Sequence, residues 1–310
     1  MKQREISGLR AGPRIKGLMV GTVAMGLALG ATAAGVQADA VSTNANRHNP
    51  QWLVQILPDK GNNPNQPWTL STFQKLASEG VTGVEINLYW AWIEPGPGQF
   101  DWTTLQKYLQ YCQETHLKLI PIFWEYINGT GGTRPPAWLP GGPEITSTGA
   151  AAGQPAFWSK RAFDAYAAYV TQTLTMMSKS PAFGGAYIDY GRLDSGLGPD
   201  PGVPGIAGYA PQDIAMFRTW LAQRYESITA FNQANGTDYV SFAAVPAFVP
   251  GQSHFSIYEQ FRTWSFQTLL GRMLDLARKV TSAPLYVYYG GGMSNVGQFA
   301  NVAIPLVQLL

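Results

Sequence analysis

Acidic and aromatic side chains stand together at three places in this 310-residue sequence. The first is Tyr89, Trp90, Trp92 and Glu94. The second is Trp124-Glu125-Tyr126, with Trp138 following at some distance. The third is Asp189-Tyr190-Gly191-Arg192-Leu193-Asp194. Flat aromatic faces beside carboxylates suit a sugar ring, which offers apolar C–H faces and many hydroxyls. Two carboxyl groups flanking a glycosidic bond can also cleave it, about 5–5.5 Å apart in a retaining enzyme and farther apart in an inverting one. One of the two must stay protonated near neutral pH, which burial or a like charge can arrange. Asp189 follows the apolar run Ala186-Tyr187-Ile188 and is the first candidate for that acid; Asp194 is the second. Arg192 lies between them and can orient a hydroxyl or a carboxylate. Each residue also has a structural reading. Asp189 can cap a loop, and Glu94, followed by Pro95, can cap its turn or pair with a base. Glu125 can sit in a buried ion pair, and Trp90, Trp124 and Trp138 can fill a core. Glu85, inside an apolar run, is expected to bond to neighbouring strands.

The elements that must position these groups are legible as alternating patterns. Trp52–Leu57, Val84–Tyr89, Leu117–Phe123, Ala186–Tyr190 and Leu285–Tyr289 read as five buried strands. Between them come helices from Trp68 to Ala77, stopped by Gly80, and from Asp101, as cap, to about Glu114. Further helices span about Pro155–Ser178, Pro211–Tyr225, Ile228–Asn235 and Ser256–Val280. Strands alternating with helices predict a parallel sheet, because parallel neighbours need crossovers. The fold class is α/β, of the (β/α)8 barrel type. The three aromatic–acidic patches then lie at the C-terminal ends of the second, third and fourth strands, where such barrels carry their sites. Two loops rich in Gly and Pro, Gly129–Gly153 and Gly191–Pro211, are the expected site walls. About five βα units are present, and at about 30 residues per unit a full barrel needs roughly 100 residues more. Residues 41–310 therefore read as the N-terminal part of a barrel domain.

The first 40 residues read as a targeting segment. Lys2, Arg4, Arg10, Arg14 and Lys16 precede an apolar run from Leu18 to Val36, and Val36-Gln37-Ala38 or Ala38-Asp39-Ala40 offers a cleavage site. A secreted or cell-envelope location follows, with no stable membrane association after cleavage; an uncleaved anchor is the other reading. Those first 38 residues hold five Lys/Arg and one Glu, so the remainder carries 16 basic against 18 acidic side chains. With no basic stripe or RNA motif, nucleic acid is not an expected partner. Cys112 is the only cysteine, at helical spacing with Leu105, Tyr108 and Leu109, and reads as core. There is no G-x-S-x-G, no H-E-x-x-H, no P-loop and no dinucleotide fingerprint. His48, His116 and His254 are scattered, so neither a metal nor a cofactor is expected.

The segment GVTGVEINLYWAWIEPGPGQFDWTTLQKYLQYCQETHLKLIPIF resembles the strand 2 to strand 3 region of the family 42 glycoside hydrolases, the bacterial β-galactosidases. The matching turn is Trp90, Glu94, Pro95, Gly98, Phe100, Asp101 and Trp102. PPAWLP at Pro135–Pro140 and FRTWLAQRYESITAFNQANGTDYVSF at Phe217–Phe242 are similar to further family patches, so the likeness spreads over about Trp52–Val280. The resemblance implies a retaining glycosidase acting on a carbohydrate, with Trp90, Trp124 and Trp138 holding sugar rings. It also implies that Glu94, Glu125, Tyr190 and Arg192 contact sugar. It departs in one place: the family carries Asn-Glu after strand 4, and its Glu is the acid/base. Here Tyr187-Ile188-Asp189-Tyr190-Gly191 stands there, so either Asp189 takes that role or, ungapped, Gly191 leaves no acid. The family's nucleophile, a Glu after strand 7, falls beyond this chain. GVEINLYWAWIE and PGIAGY at Pro204–Tyr209 also resemble β-amylases, which invert, although their Gly-Glu-Leu-Arg motif is only echoed by Gly191-Arg192-Leu193-Asp194. A non-catalytic sugar-binding barrel is the alternative from another class.

Overall fold

The computed structural model describes residues 53–55, 67–124, 136–139, 141–188 and 204–287. Five strands form one parallel sheet among these residues: β1 (Leu53–Gln55), β2 (Gly83–Tyr89), β3 (Lys118–Trp124), β6 (Ala186–Ile188) and β7 (Leu285–Val287), in that spatial order. Helices α1 (Leu70–Ser78), α3 (Thr103–Glu114), α4 (Lys160–Met177) and α7 (Phe255–Arg278) make the crossovers, with α5 (Pro211–Tyr225) and α6 (Ile228–Asn235) inserted before α7. Sequential strands lying side by side in parallel is the arrangement of a (β/α)8 barrel wall, and five of its strands are seen here.

The period of two along each strand decides what faces the helices. Val84, Ile86 and Leu88 of β2, Leu119 and Phe123 of β3, Ala186 and Ile188 of β6, and Leu285 of β7 all join one buried cluster. Helix α3 meets it with Leu105, Tyr108, Leu109 and Cys112, the face that helical spacing predicts. Burial pushes the Cys112 thiol up to about 12, so this sulfur is a packing atom. A second buried cluster joins Tyr209, Phe217, Trp220, Leu221 and Phe231 to Phe248, Ile257, Tyr258 and Phe261, from α5, α6, the first half of α7 and the segments between them.

Most boundaries fall where the pattern places them. Gly80, at φ +86°, follows α1, as expected of a stop signal. Asp101 accepts a hydrogen bond from the Thr103 amide (2.9 Å) at the start of α3, and this bond holds its carboxyl below the usual range. Helix α4 begins at Lys160, later than expected. Ser159 caps it by accepting from the Ala162 amide, and the five residues before it belong elsewhere. The chief correction is the expected loop from Gly129 to Gly153. Within it lies a strand, β4 (Pro143–Ile145), paired antiparallel with β5 (Ala151–Pro155) through a turn at Gly149, φ +82°. Gly, Ala, Pro and Glu, which make up most of these two strands, carry little β-propensity, so the sequence hides this hairpin. Docking against residues 204–209 holds it, through a Thr146–Ala207 bridge and the Ser147–Ile206 and Tyr209–Ile145 backbone bonds. A one-turn helix α2 (Trp90–Ile93) directly after β2 is also invisible in the pattern.

Candidate active site

The alternate residues of the strands face away from the helices. On that face Asn87 of β2, Ile122 of β3, Tyr187 of β6 and Tyr286 of β7 stand in one row, by pairing register. The Tyr187 hydroxyl donates to Glu85 Oε1 (2.8 Å), reaching across β3. Glu85 does bond to another strand, but its partner is on β6, two strands away, and not on a neighbouring strand as expected. The Tyr187 and Tyr286 rings lie 5.0 Å apart, and burial raises the Tyr286 phenol, helped by the Glu85 charge. Asn87 is a buried polar residue in the same face. None of Asn87, Tyr187 and Tyr286 is singled out by the sequence. Their one signal is a polar or hydroxyl-bearing residue at alternate positions of an otherwise apolar strand.

Toward the C-terminal ends, Tyr89 pairs with Trp124 in register, and the Tyr89 ring meets Trp92 edge-on at 4.6 Å. The chain then tightens into α2. Four residues of helix bring Glu94 back under Trp90, so that Trp90 Nε1 donates to Glu94 Oε2 (2.7 Å). Gly98 N donates to Glu94 Oε1 (2.8 Å), closing the Pro-Gly turn. Both carboxylate oxygens of Glu94 are thus engaged within the protein, and the residue is 3% exposed. Trp90 is buried too, stacked on Tyr169 of α4 (5.5 Å, 14°) and edge-on to Trp138 (5.9 Å, 89°). Trp138 Nε1 donates to the Glu94 carbonyl oxygen (2.9 Å), and its ring is only partly buried. From α4, Tyr166 donates to the Phe123 carbonyl (3.2 Å) and Tyr169 to the Leu88 carbonyl (3.5 Å), so one helix grips the last residues of both β2 and β3.

Of the residues the sequence singles out, this geometry brings together Trp90, Glu94 and Trp138. Asp189, Asp194, Glu125, Tyr190 and Arg192 lie outside the described residues, as does the side chain of Trp124. Asp189 is the residue directly after β6, whose Ile188 pairs with Phe123. Among the described residues no group of three or more His, Cys, Asp or Glu is placed to hold a metal ion, and no helix is long and apolar enough to cross a membrane.

Comparison with known proteins bears on the fold and the family. At 22% identity and a TM-score of 0.60, 76% of the chain superposes on 36% of a β-galactosidase from the psychrophile Marinomonas ef1. With the catalytic domain of a β-amylase from Paenibacillus polymyxa the TM-score is 0.59, at 19% identity over 76% of this chain and 65% of that one. At these identities the likeness is one of fold. In sequence, a β-galactosidase from an Arthrobacter species is 27% identical over 247 residues, which cover 71% of this chain and 33% of that protein. A β-galactosidase from Thermus thermophilus is 27% identical over 220 residues, covering 64% of this chain and 31% of that one. The chain thus spans about a third of the length of these curated relatives. The sequence model of glycoside hydrolase family 42, described as beta-galactosidase, matches residues 62–287, and with the strand order, the Trp90–Glu94 turn and Trp138 in place the chain belongs to that family.

Proposed function

We propose that this chain forms one wall of the sugar site of a secreted β-galactosidase that works by the retaining, two-carboxylate mechanism. The observation that carries the reading is Trp138. Its indole N–H is tied to the Glu94 carbonyl at the C-terminal end of β2, its edge rests on Trp90, and part of its ring is left for a ligand. An aromatic ring fixed in this way presents a flat apolar face at low entropic cost, which is what the C–H face of a galactose ring needs. Trp90 and Glu94 serve by holding that platform. Asp189 would protonate the glycosidic oxygen, with Asp194 as second choice. Glu125, Tyr190 and Arg192 would bond hydroxyls, and Trp124 would complete the aromatic surface. The nucleophile would be a carboxylate outside these 310 residues. Export rests on the basic start and the apolar run of the first 40 residues.

Galactose titration by intrinsic tryptophan fluorescence tests the reading. Trp138→Ala is expected to weaken galactose about tenfold, the equivalent of about 1.4 kcal/mol for a lost ring contact. Unchanged affinity would remove the platform from the account. A non-catalytic sugar-binding barrel is the second reading, favoured by Tyr187-Ile188-Asp189 standing where the resemblance implies Asn-Glu. The two part on Asp189→Ala in a full-length β-galactoside assay: loss of turnover with galactose affinity kept marks the enzyme, and no change in either marks the binding module.

A further inference from the structure

The most heavily hydrogen-bonded buried carboxyl among the described residues is outside the sugar face. Glu144, on β4, is fully buried. Its Oε1 accepts from the amides of Ile145 (2.8 Å), Gly208 (2.8 Å) and Tyr209 (3.1 Å), and its Oε2 from Phe157 N (3.2 Å). Asp213, in the first turn of α5 and 1% exposed, accepts from Trp158 N (3.0 Å) and Ala210 N (3.2 Å). The two carboxyls take adjacent amides of one segment, Glu144 that of Phe157 and Asp213 that of Trp158, which sets them side by side. Around them lie Arg262, Tyr258 and Glu259 from α7 and Tyr209 from the segment before α5. Tyr258 donates to the Gly208 carbonyl, and its ring stacks on Tyr209 at 4.7 Å. The cluster therefore joins four pieces of chain: the β4–β5 hairpin, residues 156–158 after it, residues 204–210, and α5 with α7 behind them.

The place of these pieces in the chain gives the cluster its meaning. The hairpin ends the long connection that leaves β3, which carries Glu125 and Trp138. Residues 204–210 end the long connection that leaves β6, which carries Asp189, Tyr190, Arg192 and Asp194. Glu144 takes backbone amides from both. We propose that the buried Glu144–Asp213 pair, through the backbone amides it gathers, is a clamp that fixes the far ends of these two connections relative to each other, positions the sugar-binding residues on them, and loosens as pH rises. The positioning role rests on the sugar-site reading above; the clamp itself does not.

The pH sign follows from the surroundings. Burial raises both carboxyls. Backbone amides offset part of that rise at Glu144, whereas the Glu144 charge raises Asp213 further. A carboxyl raised in the folded state contributes its full stability below its unfolded pKa, about 3.9, and loses it as pH climbs toward the folded value. Two facing anions then remain, with the buried Arg262 guanidinium in the field of Glu144.

Hydrogen exchange read by mass spectrometry at pH 5 and pH 8, corrected for intrinsic rates, tests the clamp on the whole chain. The amides of Ile145, Phe157 and Gly208 are expected to lose about tenfold protection between the two pH values, the worth of one buried hydrogen bond. The Leu119 amide, bonded to the Ala182 carbonyl beside the sheet, is expected to hold steady. Asp213→Asn keeps a donor toward Glu144 but cannot titrate, so its protection should be the same at both pH values. Asp213→Ala should expose these three amides at both. Equal wild-type protection at pH 5 and pH 8, or loss at Leu119 in step with the rest, overturns the clamp; the Asn variant decides the matter if the Ala variant does not fold. Galactose titration separates the two claims. If Asp213→Ala lowers affinity and Asp213→Asn restores it, the clamp positions the site. If Trp138→Ala lowers affinity and Asp213→Ala does not, the sugar reading stands and the positioning role falls. If the wild type does not bind galactose, the sugar reading falls and the exchange data still judge the clamp.

Discussion

Glu94 and Glu144 are both buried carboxylates with every oxygen engaged by N–H groups, yet they are built in opposite ways. The partners of Glu94 lie four residues to either side: the Trp90 indole and the Gly98 amide. Those of Glu144 lie 1, 13, 64 and 65 residues away, with Asp213 beyond. Glu94 organises one turn, whose shape is a local property of W-A-W-I-E-P-G-P-G. Glu144 organises contacts between segments that share no local pattern. A buried carboxylate is tolerated only when its lone pairs are filled, and both solutions fill them. They differ in what falls apart when the carboxylate is taken away.

That contrast can be broken in steps. Glu144→Ala should have the largest effect, about 3–5 kcal/mol of folding stability in urea denaturation, because it takes the carboxylate acceptor from the amides of Ile145, Phe157 and Gly208 and leaves Asp213 without its partner. A loss below about 1 kcal/mol would mean that water replaces the carboxylate and that the cluster is not a hub. Glu94→Ala should cost less, about 2–3 kcal/mol, since it orphans one indole N–H and one amide next to a surface turn. It should also disorder Trp138, whose N–H bonds to the same residue's carbonyl, visible as a shift in tryptophan emission; an unshifted spectrum would separate the platform from the turn. Asp101→Ala should be the smallest, about 1 kcal/mol, because it removes one exposed amide bond at the start of α3. Its pH sign is opposite to that of Asp213. The Asp101 carboxyl is held low, so its contribution is present above its unfolded pKa and disappears as pH falls through the folded one. Stability curves of wild type and Asp101→Ala should therefore converge in acid, and parallel curves would refute the cap.

The parts of the molecule open to reading from sequence are those governed by short-range periodicity. The face of α3, the apolar sides of β2 and β3, and the stop at Gly80 follow from spacings of 3.6 and 2 and from one residue's tolerance of positive φ. The aromatic–acidic turn at Trp90–Glu94 was legible as a special feature, but not its wiring. Whether a tryptophan offers its face to a ligand or to Tyr169 depends on where α4 lies, and α4 is 70 residues further on.

By itself, then, the chain determined its alternation of strands and helices, its parallel sheet, and a special aromatic–acidic turn after β2, because each depends on neighbours a few positions away. Only the tertiary structure decided that Pro143–Pro155 is a hairpin, that Tyr187 reaches Glu85 across β3, and that Glu144 and Asp213 meet. Those outcomes rest on hydrogen bonds between segments 13 to 102 residues apart, whose acceptors no local pattern announces.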